Sequence, residues 1–107
     1  MKRIDKKINE FKQNIYEIAK EFTTNRLYNE KDLDPTILFC NKLKKDGFNN
    51  VSINSVKDDS KNLSRTYYIT ADKNFMEAYI HATYSFRTMS HEQYDMNVIV
   101  ANIVTLE

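Results

Sequence analysis

Residues 76–86 read MEAYIHATYSF, and apolar and polar side chains alternate along the second half of this stretch. Successive side chains of an extended strand point to opposite faces of a sheet, so the pattern predicts a β-strand with one buried face. The set assigned to the core is Ile80, Ala82, Tyr84 and Phe86. The set on the opposite face is Tyr79, His81, Thr83, Ser85 and Arg87.

The next strand, predicted over residues 94–105 (YDMNVIVANIVT), is apolar on both faces. One face carries Met96, Val98 and Val100, and the other carries Ile99, Ala101 and Ile103. A solvated face of an antiparallel sheet normally alternates cleanly with a buried one. An apolar second face therefore predicts that something besides the protein's own helices covers it.

Two further strands are predicted upstream, one around Val51 and Ile53 and one over residues 66–70, where β-forming side chains gather. Polar segments at residues 57–62, 72–74 and 88–93 separate the four strands and are short enough for hairpin turns. The four strands are therefore expected to form an antiparallel meander.

The first part of the chain carries two helix signals. Spacings of three and four residues connect a set of apolar positions that predicts a helix over residues 3–22, namely Ile4, Ile8, Phe11, Ile15, Ile18 and Phe22. This stripe is interpreted as core packing, with a helix-mediated dimer as the alternative. A second helix is predicted from Pro35 to Asp46, because Asp34 can cap its start and Gly47 can end it.

These elements predict an α+β fold, in which two N-terminal helices pack on a four-stranded antiparallel meander in the order ααββββ. With 107 residues, 41% of them hydrophobic, the chain is expected to form a single domain over residues 1–107.

The composition excludes several kinds of site. One glycine and one proline leave no phosphate-binding loop, no dinucleotide fingerprint and no G-x-S-x-G nucleophile turn, so no cofactor is expected. The longest uninterrupted apolar runs are four residues, which predicts no membrane segment. A single cysteine and a polar N-terminus predict a cytoplasmic protein.

No constellation of residues predicts catalysis or metal binding. Cys40 lies among apolar residues and is interpreted as core, since a nucleophilic role would need His81 or His91 beside it. His91, Glu92 and Asp95, with His81, lack a recognised ligand spacing. We therefore expect no metal site, no catalytic residues and no enzymatic activity.

A protein-binding surface is expected on the sheet face away from the helices and on the last hairpin, since aromatic residues and arginine are enriched in interface centres. The candidate partner-binding residues are Tyr68, Tyr79, His81, Arg87, Met89, His91, Ile99 and Ile103. Residues 74–107 carry one Arg against four Asp or Glu, a formal charge of −3, which favours a basic protein over nucleic acid.

The sequence thus favours a small non-enzymatic protein-binding module, of the inhibitor, immunity or phage and mobile-element accessory type, that binds another protein or itself as a homodimer. One alternative is a small-ligand pocket between helices and sheet, lined by Tyr84, Phe86, Cys40 and Phe39. A weaker alternative is nucleic-acid binding through the aromatic and cationic segment 65–69.

Overall fold

A computed structural model describes residues 3–22, 26–27, 35–86 and 93–106. The helices are α1 (Arg3–Ala19) and α2 (Pro35–Lys45), and the strands are β1 (Arg26–Leu27), β2 (Asn49–Asp59), β3 (Ser64–Lys73), β4 (Met76–Phe86) and β5 (Gln93–Thr105). The sheet order is β1-β5-β4-β3-β2 with every neighbouring pair antiparallel. The predicted α+β fold with its four-stranded meander is confirmed, and the two-residue β1 adds a short strand beside β5 that the sequence analysis did not predict.

Helix α1 packs its apolar stripe on the sheet. Phe11, Ile15 and Ile18 are buried, while the intervening charged residues are exposed, as the spacing of the stripe predicts. Helical geometry ends at Ala19 rather than at the predicted residue 22, and a turn over residues 20–22 keeps Phe22 in the core. On the exposed side, Lys20 Nζ lies 3.1 Å from a Glu17 carboxylate oxygen, a pairing that the sequence spacing predicts.

Helix α2 begins at Pro35 and ends with a glycine in the left-handed region. Gly47 has φ +96°, which a residue without a Cβ adopts at little cost. The amides of Gly47 and Phe48 donate to the carbonyls of Lys44 and Leu43 at 3.1 and 3.0 Å, respectively. These bonds satisfy two of the carbonyls that the end of the helix leaves without partners.

Both helices cover the same face of the sheet. Residues of α1, α2 and β3 to β5 form one core cluster, in which Ile15, Phe39, Leu43 and Ile80 have no exposed surface. We call the other face of the sheet, turned away from α1 and α2, the open face. Its side chains alternate along each strand with those of the core.

The hairpin between β2 and β3 is longer than the sequence predicted. Lys57, Asp58 and Asp59 were expected in a turn over residues 57–62, but they extend β2 and pair with β3, and the turn covers residues 60–63. The Asp58 carboxylate accepts hydrogen bonds from Arg65 Nε and Nη2 at 2.5 and 3.3 Å. Asp59 Oδ1 accepts the amides of Lys61 and Asn62, so the two acidic residues hold the strand end and the turn.

A bulge in β5 changes which residues face the core. Tyr79 pairs with Asn102 but the next residue, Ile80, pairs with Val100, so Ala101 is an extra residue in β5. The Val100 amide donates to the hydroxyl of Tyr16 in α1 at 3.0 Å. The helix thus supplies a partner for a backbone amide at the irregular point of the ladder.

Candidate interaction surface on the open face

Strand register places the open-face side chains in rows across the sheet. Paired residues of an antiparallel ladder point to the same side. Tyr68, His81 and Ile99 form one row, because Tyr68 pairs with His81 and His81 with Ile99. Thr70, Tyr79 and Asn102 form the adjacent row.

Three apolar side chains of β4 and β5 lie exposed near one another on this surface. Tyr79, Ile99 and Val104 are 41%, 49% and 38% exposed, and we call them the apolar patch. Val104 pairs with Glu77, two residues from Tyr79, while Ile99 lies opposite His81, so the three occupy neighbouring rows. Exposed side chains of this kind in one place are typical of surfaces that bind other molecules.

Tyr68 and His81 border the apolar patch, and their rings contact each other. Their ring centroids lie 4.7 Å apart with an interplanar angle of 75°, which is an edge-to-face contact. Both residues are half-buried. This contact gives the surface a preformed aromatic floor next to the exposed Tyr79 and Ile99.

Away from the apolar patch, the open face carries polar side chains on β2, on β3 and at Thr83 of β4. Thr66 and Thr83 share a hydroxyl hydrogen bond of 2.8 Å, and the Asn54 amide donates to the Thr70 hydroxyl at 3.1 Å. Because these groups already satisfy one another, this side offers fewer free donors and acceptors than its composition suggests. The apolar patch therefore lies off-centre, toward β5.

Two carboxylates lie at the end of the open face nearest the β3–β4 turn. The Glu77 side chain accepts a hydrogen bond from the Tyr79 hydroxyl, and this bond together with the charge of Glu77 raises the pKa of Tyr79. Asp72 pairs with Glu77 across the ladder, and its carboxylate accepts a hydrogen bond of 2.9 Å from the side-chain amide of Asn50. Among the described side chains, no cation lies within ion-pairing distance of either carboxylate. This end of the face is therefore negatively charged.

The structure places half of the predicted partner-binding residues on the open face. Tyr68, Tyr79, His81 and Ile99 lie there together. Arg87, Met89 and His91, as well as the predicted 88–93 turn up to residue 92, lie outside the described residues.

Ile103 is a correction to the predicted surface. It pairs with Ala78, which is fully buried, and packs against the core. The physical reason is the extra residue Ala101, which reverses the alternation of β5 after Val100.

The same bulge explains why the sequence analysis missed Val104. Strict alternation from Met96 places Val104 with the core residues, whereas the observed register moves it to the open face. Glu77 was not included either, although it lies two residues before Tyr79 on the same face. A further omission, Phe75, lies in the β3–β4 turn and is 81% exposed. The feature of the sequence that could have identified it is a large aromatic residue next to the predicted turn over residues 72–74.

Cys40 and the residues weighed as metal ligands were the other candidates for chemistry. Cys40 is buried, as predicted for a core residue. Across residues 3–22, 26–27, 35–86 and 93–106, no group of three or more His, Cys, Asp and Glu side chains is placed to hold a metal ion. His91 and Glu92, from the group weighed as a metal site, lie outside these ranges.

Two cavities open on the part of the chain that the structure describes, and neither has the full lining predicted for a pocket between helices and sheet. One, of about 380 Å³, opens beside the β2–β3 turn and includes Tyr84 and Arg65. The other, of about 460 Å³, lies between α1 and the β3–β4 turn. Neither includes Phe39 or Cys40, which are packed in the core, and the Phe39 ring contacts Phe22 edge-on at 6.1 Å.

No family model matches the chain, and no curated protein or solved structure matches it either. In the part of the chain that the structure describes, neither helix has the length and apolarity needed to cross a bilayer.

Proposed function

We propose that this protein is a small non-enzymatic protein-binding module that acts through the open face of its sheet. The observation that carries the proposal is the apolar patch, Tyr79, Ile99 and Val104, left between about two-fifths and one-half exposed on the open face. Aromatic and aliphatic side chains at the centre of an interface supply most of its binding free energy when a partner removes them from water.

The environment of the patch supports a protein partner. The preformed Tyr68–His81 contact costs little entropy on binding, and the polar rows of β2 and β3 provide a hydrophilic border. An apolar patch bordered by polar side chains is typical of protein interfaces.

The biological role, the location and the partner of the protein are also part of the proposal. An inhibitor, immunity or mobile-element accessory role, located in the cytoplasm, fits a chain with one buried cysteine and a single sheet face for binding. The partner is another protein, and a second copy of this chain is the alternative occupant of the same face. The two occupants predict different oligomeric states for the purified protein.

The test is a double variant, Tyr79→Ala with Ile99→Asp, compared with the wild-type chain and with Val56→Asp. Val56 is also an exposed apolar residue, at 48%, but it pairs with buried Tyr67 and therefore lies on the helix side of the sheet. Affinity capture from an extract of the native cells, followed by mass spectrometry, measures binding to other proteins. Sedimentation velocity of the purified chains measures self-association, and circular dichroism checks folding.

We expect the double variant to fold and to lose the protein that both wild type and Val56→Asp capture. Loss in Val56→Asp but not in the double variant would instead place binding on the helix side. Equal capture by all three proteins, or none by wild type together with a monomeric state, would contradict the proposal.

A further inference from the structure

The β3–β4 turn has an unusual residue at its tip. Asn74 and Phe75 join Lys73 to Met76, which pair directly, and both turn residues have positive φ, at 53° and 63°. Two-residue hairpin turns with positive φ at both positions strongly favour Asn followed by Gly. This chain has the favoured Asn but carries Phe where Gly is preferred.

Phe75 gains little from packing in return for this conformation. Its side chain is 81% exposed, the highest value among the exposed large apolar residues of the described chain. A bulky residue with a Cβ is strained in the left-handed region, and strain of this kind is often found at functional sites. Its backbone is fixed, since the Leu106 amide donates to the Phe75 carbonyl at 2.6 Å.

Phe75 lies next to the end of the open face where the apolar patch begins. Leu106, 38% exposed, is hydrogen-bonded to it, and Val104 of the patch lies two residues before Leu106. Glu77 lies two residues after Phe75 on the open face. The exposed tip thus adjoins the apolar edge formed by Leu106 and Val104, with Asp72 and Glu77 on the open face beside it. On its other side, Phe75 lines the cavity that it shares with Lys7 and Glu10 of α1.

The charges distinguish the two occupants of this surface. On the open face, the cation Lys57 lies near Asp59. Asp72 and Glu77, in contrast, have no cationic partner among the described side chains. A second copy would bring the same negative end into the interface, whereas a basic protein would neutralise it. The charge pattern therefore favours a different protein.

We infer that Phe75 is the anchor residue of the interface, and that its partner is a protein with an apolar pocket that receives this ring and with Lys or Arg at the pocket rim facing Asp72 and Glu77. The inference rests on the proposed function of the open face. It adds the tip of the hairpin to that site and states the chemistry of the partner.

The experiment uses three variants of the full chain, Phe75→Gly, Phe75→Tyr and Asp72→Asn with Glu77→Gln. The binding probe is the protein captured by wild type and lost by the Tyr79→Ala, Ile99→Asp double variant. Binding is measured by calorimetry at low and at moderate salt. A photo-crosslinking residue, p-benzoylphenylalanine, introduced in place of Phe75, identifies the contacted segment of the partner by mass spectrometry.

We expect Phe75→Gly to bind about tenfold more weakly or worse, while its melting temperature rises by about 4 °C or more because glycine relieves the turn. Phe75→Tyr should keep binding to within about threefold, since an aromatic anchor tolerates this change. The double amide variant should bind more weakly and lose most of the salt dependence. Crosslinks should lie in a pocket of the partner with basic residues at its rim.

Unchanged affinity of Phe75→Gly would overturn the inference while leaving the open-face proposal in place, because the probe is defined by the Tyr79 and Ile99 variant. A fall in the melting temperature of Phe75→Gly would show that Phe75 serves the fold. Crosslinks only to a second copy of this chain, or to no specific protein, would also overturn it, and absence of any captured protein would contradict both proposals.

Discussion

The two faces of strand β4 differ in how far their side chains are exposed. Ala78, Ile80 and Ala82 point under the helices and have no exposed surface, whereas Tyr79, between two of them, is 41% exposed. The helix side is a dense apolar core, while the open face mixes aromatic, aliphatic, hydroxyl and carboxylate groups. The open face therefore differs from the solvated face of an ordinary amphipathic sheet, because it also carries large apolar side chains. Its exposed apolar side chains are the basis of the proposed interaction surface.

The largest expected effect comes from placing a charge on the covered side. Ile15→Asp puts a carboxyl where the native side chain has no exposed surface, at a cost on the order of 5 kcal/mol. That cost is comparable to the whole stability of a small domain, roughly 5 to 15 kcal/mol, so the variant is expected to be unfolded by circular dichroism. Ile99→Asp, the same change at a half-exposed site on the open face, should alter stability by about 1 kcal/mol or less. A folded Ile15→Asp protein would break the comparison.

Two neighbouring residues of β4 allow the two faces to be compared through losses of stability of intermediate size. Ile80→Ala removes a fully buried side chain and is expected to cost about 2 to 5 kcal/mol in urea denaturation. Tyr79→Ala removes a partly exposed one and should cost about 1 kcal/mol or less. Similar losses for the two variants would mean that Tyr79 contributes to the core as much as Ile80 does.

The smallest of the three effects expected on the covered side tests how that side controls the open face. Tyr16→Phe removes the hydroxyl that accepts the Val100 amide at the β5 bulge, and leaving this donor without a partner should cost about 1 to 3 kcal/mol. Hydrogen exchange should show the Val100 amide losing protection more than its neighbours. An unchanged stability with unchanged exchange at Val100 would mean that the hydroxyl does not hold the bulge.

Much of the fold follows from local patterns in the sequence. The six-residue apolar stripe predicts α1, the Pro35 and Gly47 signals bound α2, and alternation predicts the β4 core set Ile80, Ala82, Tyr84 and Phe86. The first three are buried, and the side chain of Phe86 lies outside the described part of the chain. These succeed because helix and strand periods are properties of the backbone itself. Turn boundaries are less predictable. Asp58 was placed in a turn for its polarity, but its partner Arg65 lies across the hairpin and stabilises strand geometry instead.

The candidate site was predictable only in part, and β5 shows the reason. Ile99 was correctly placed on the open face, because it precedes the bulge, and Ile103 was not, because it follows it. A single extra residue reverses the alternation of side chains between the two faces of β5, and no local feature of residues 98–103 predicts it. Phe75 was not predicted for another reason: it lies in the turn between β3 and β4, where the alternation of strand side chains does not apply.

The sequence by itself determined the order of elements, the class of fold and which residues of α1, α2 and β4 form the core, because these depend on periodicity and on capping within a few residues. Only the tertiary structure decided the register of β5, since the bulge is held by a hydroxyl of α1 that lies 84 residues away along the chain. It also decided that Tyr79, Ile99 and Val104 share one exposed patch, because strand pairing, which no single segment encodes, brings them together.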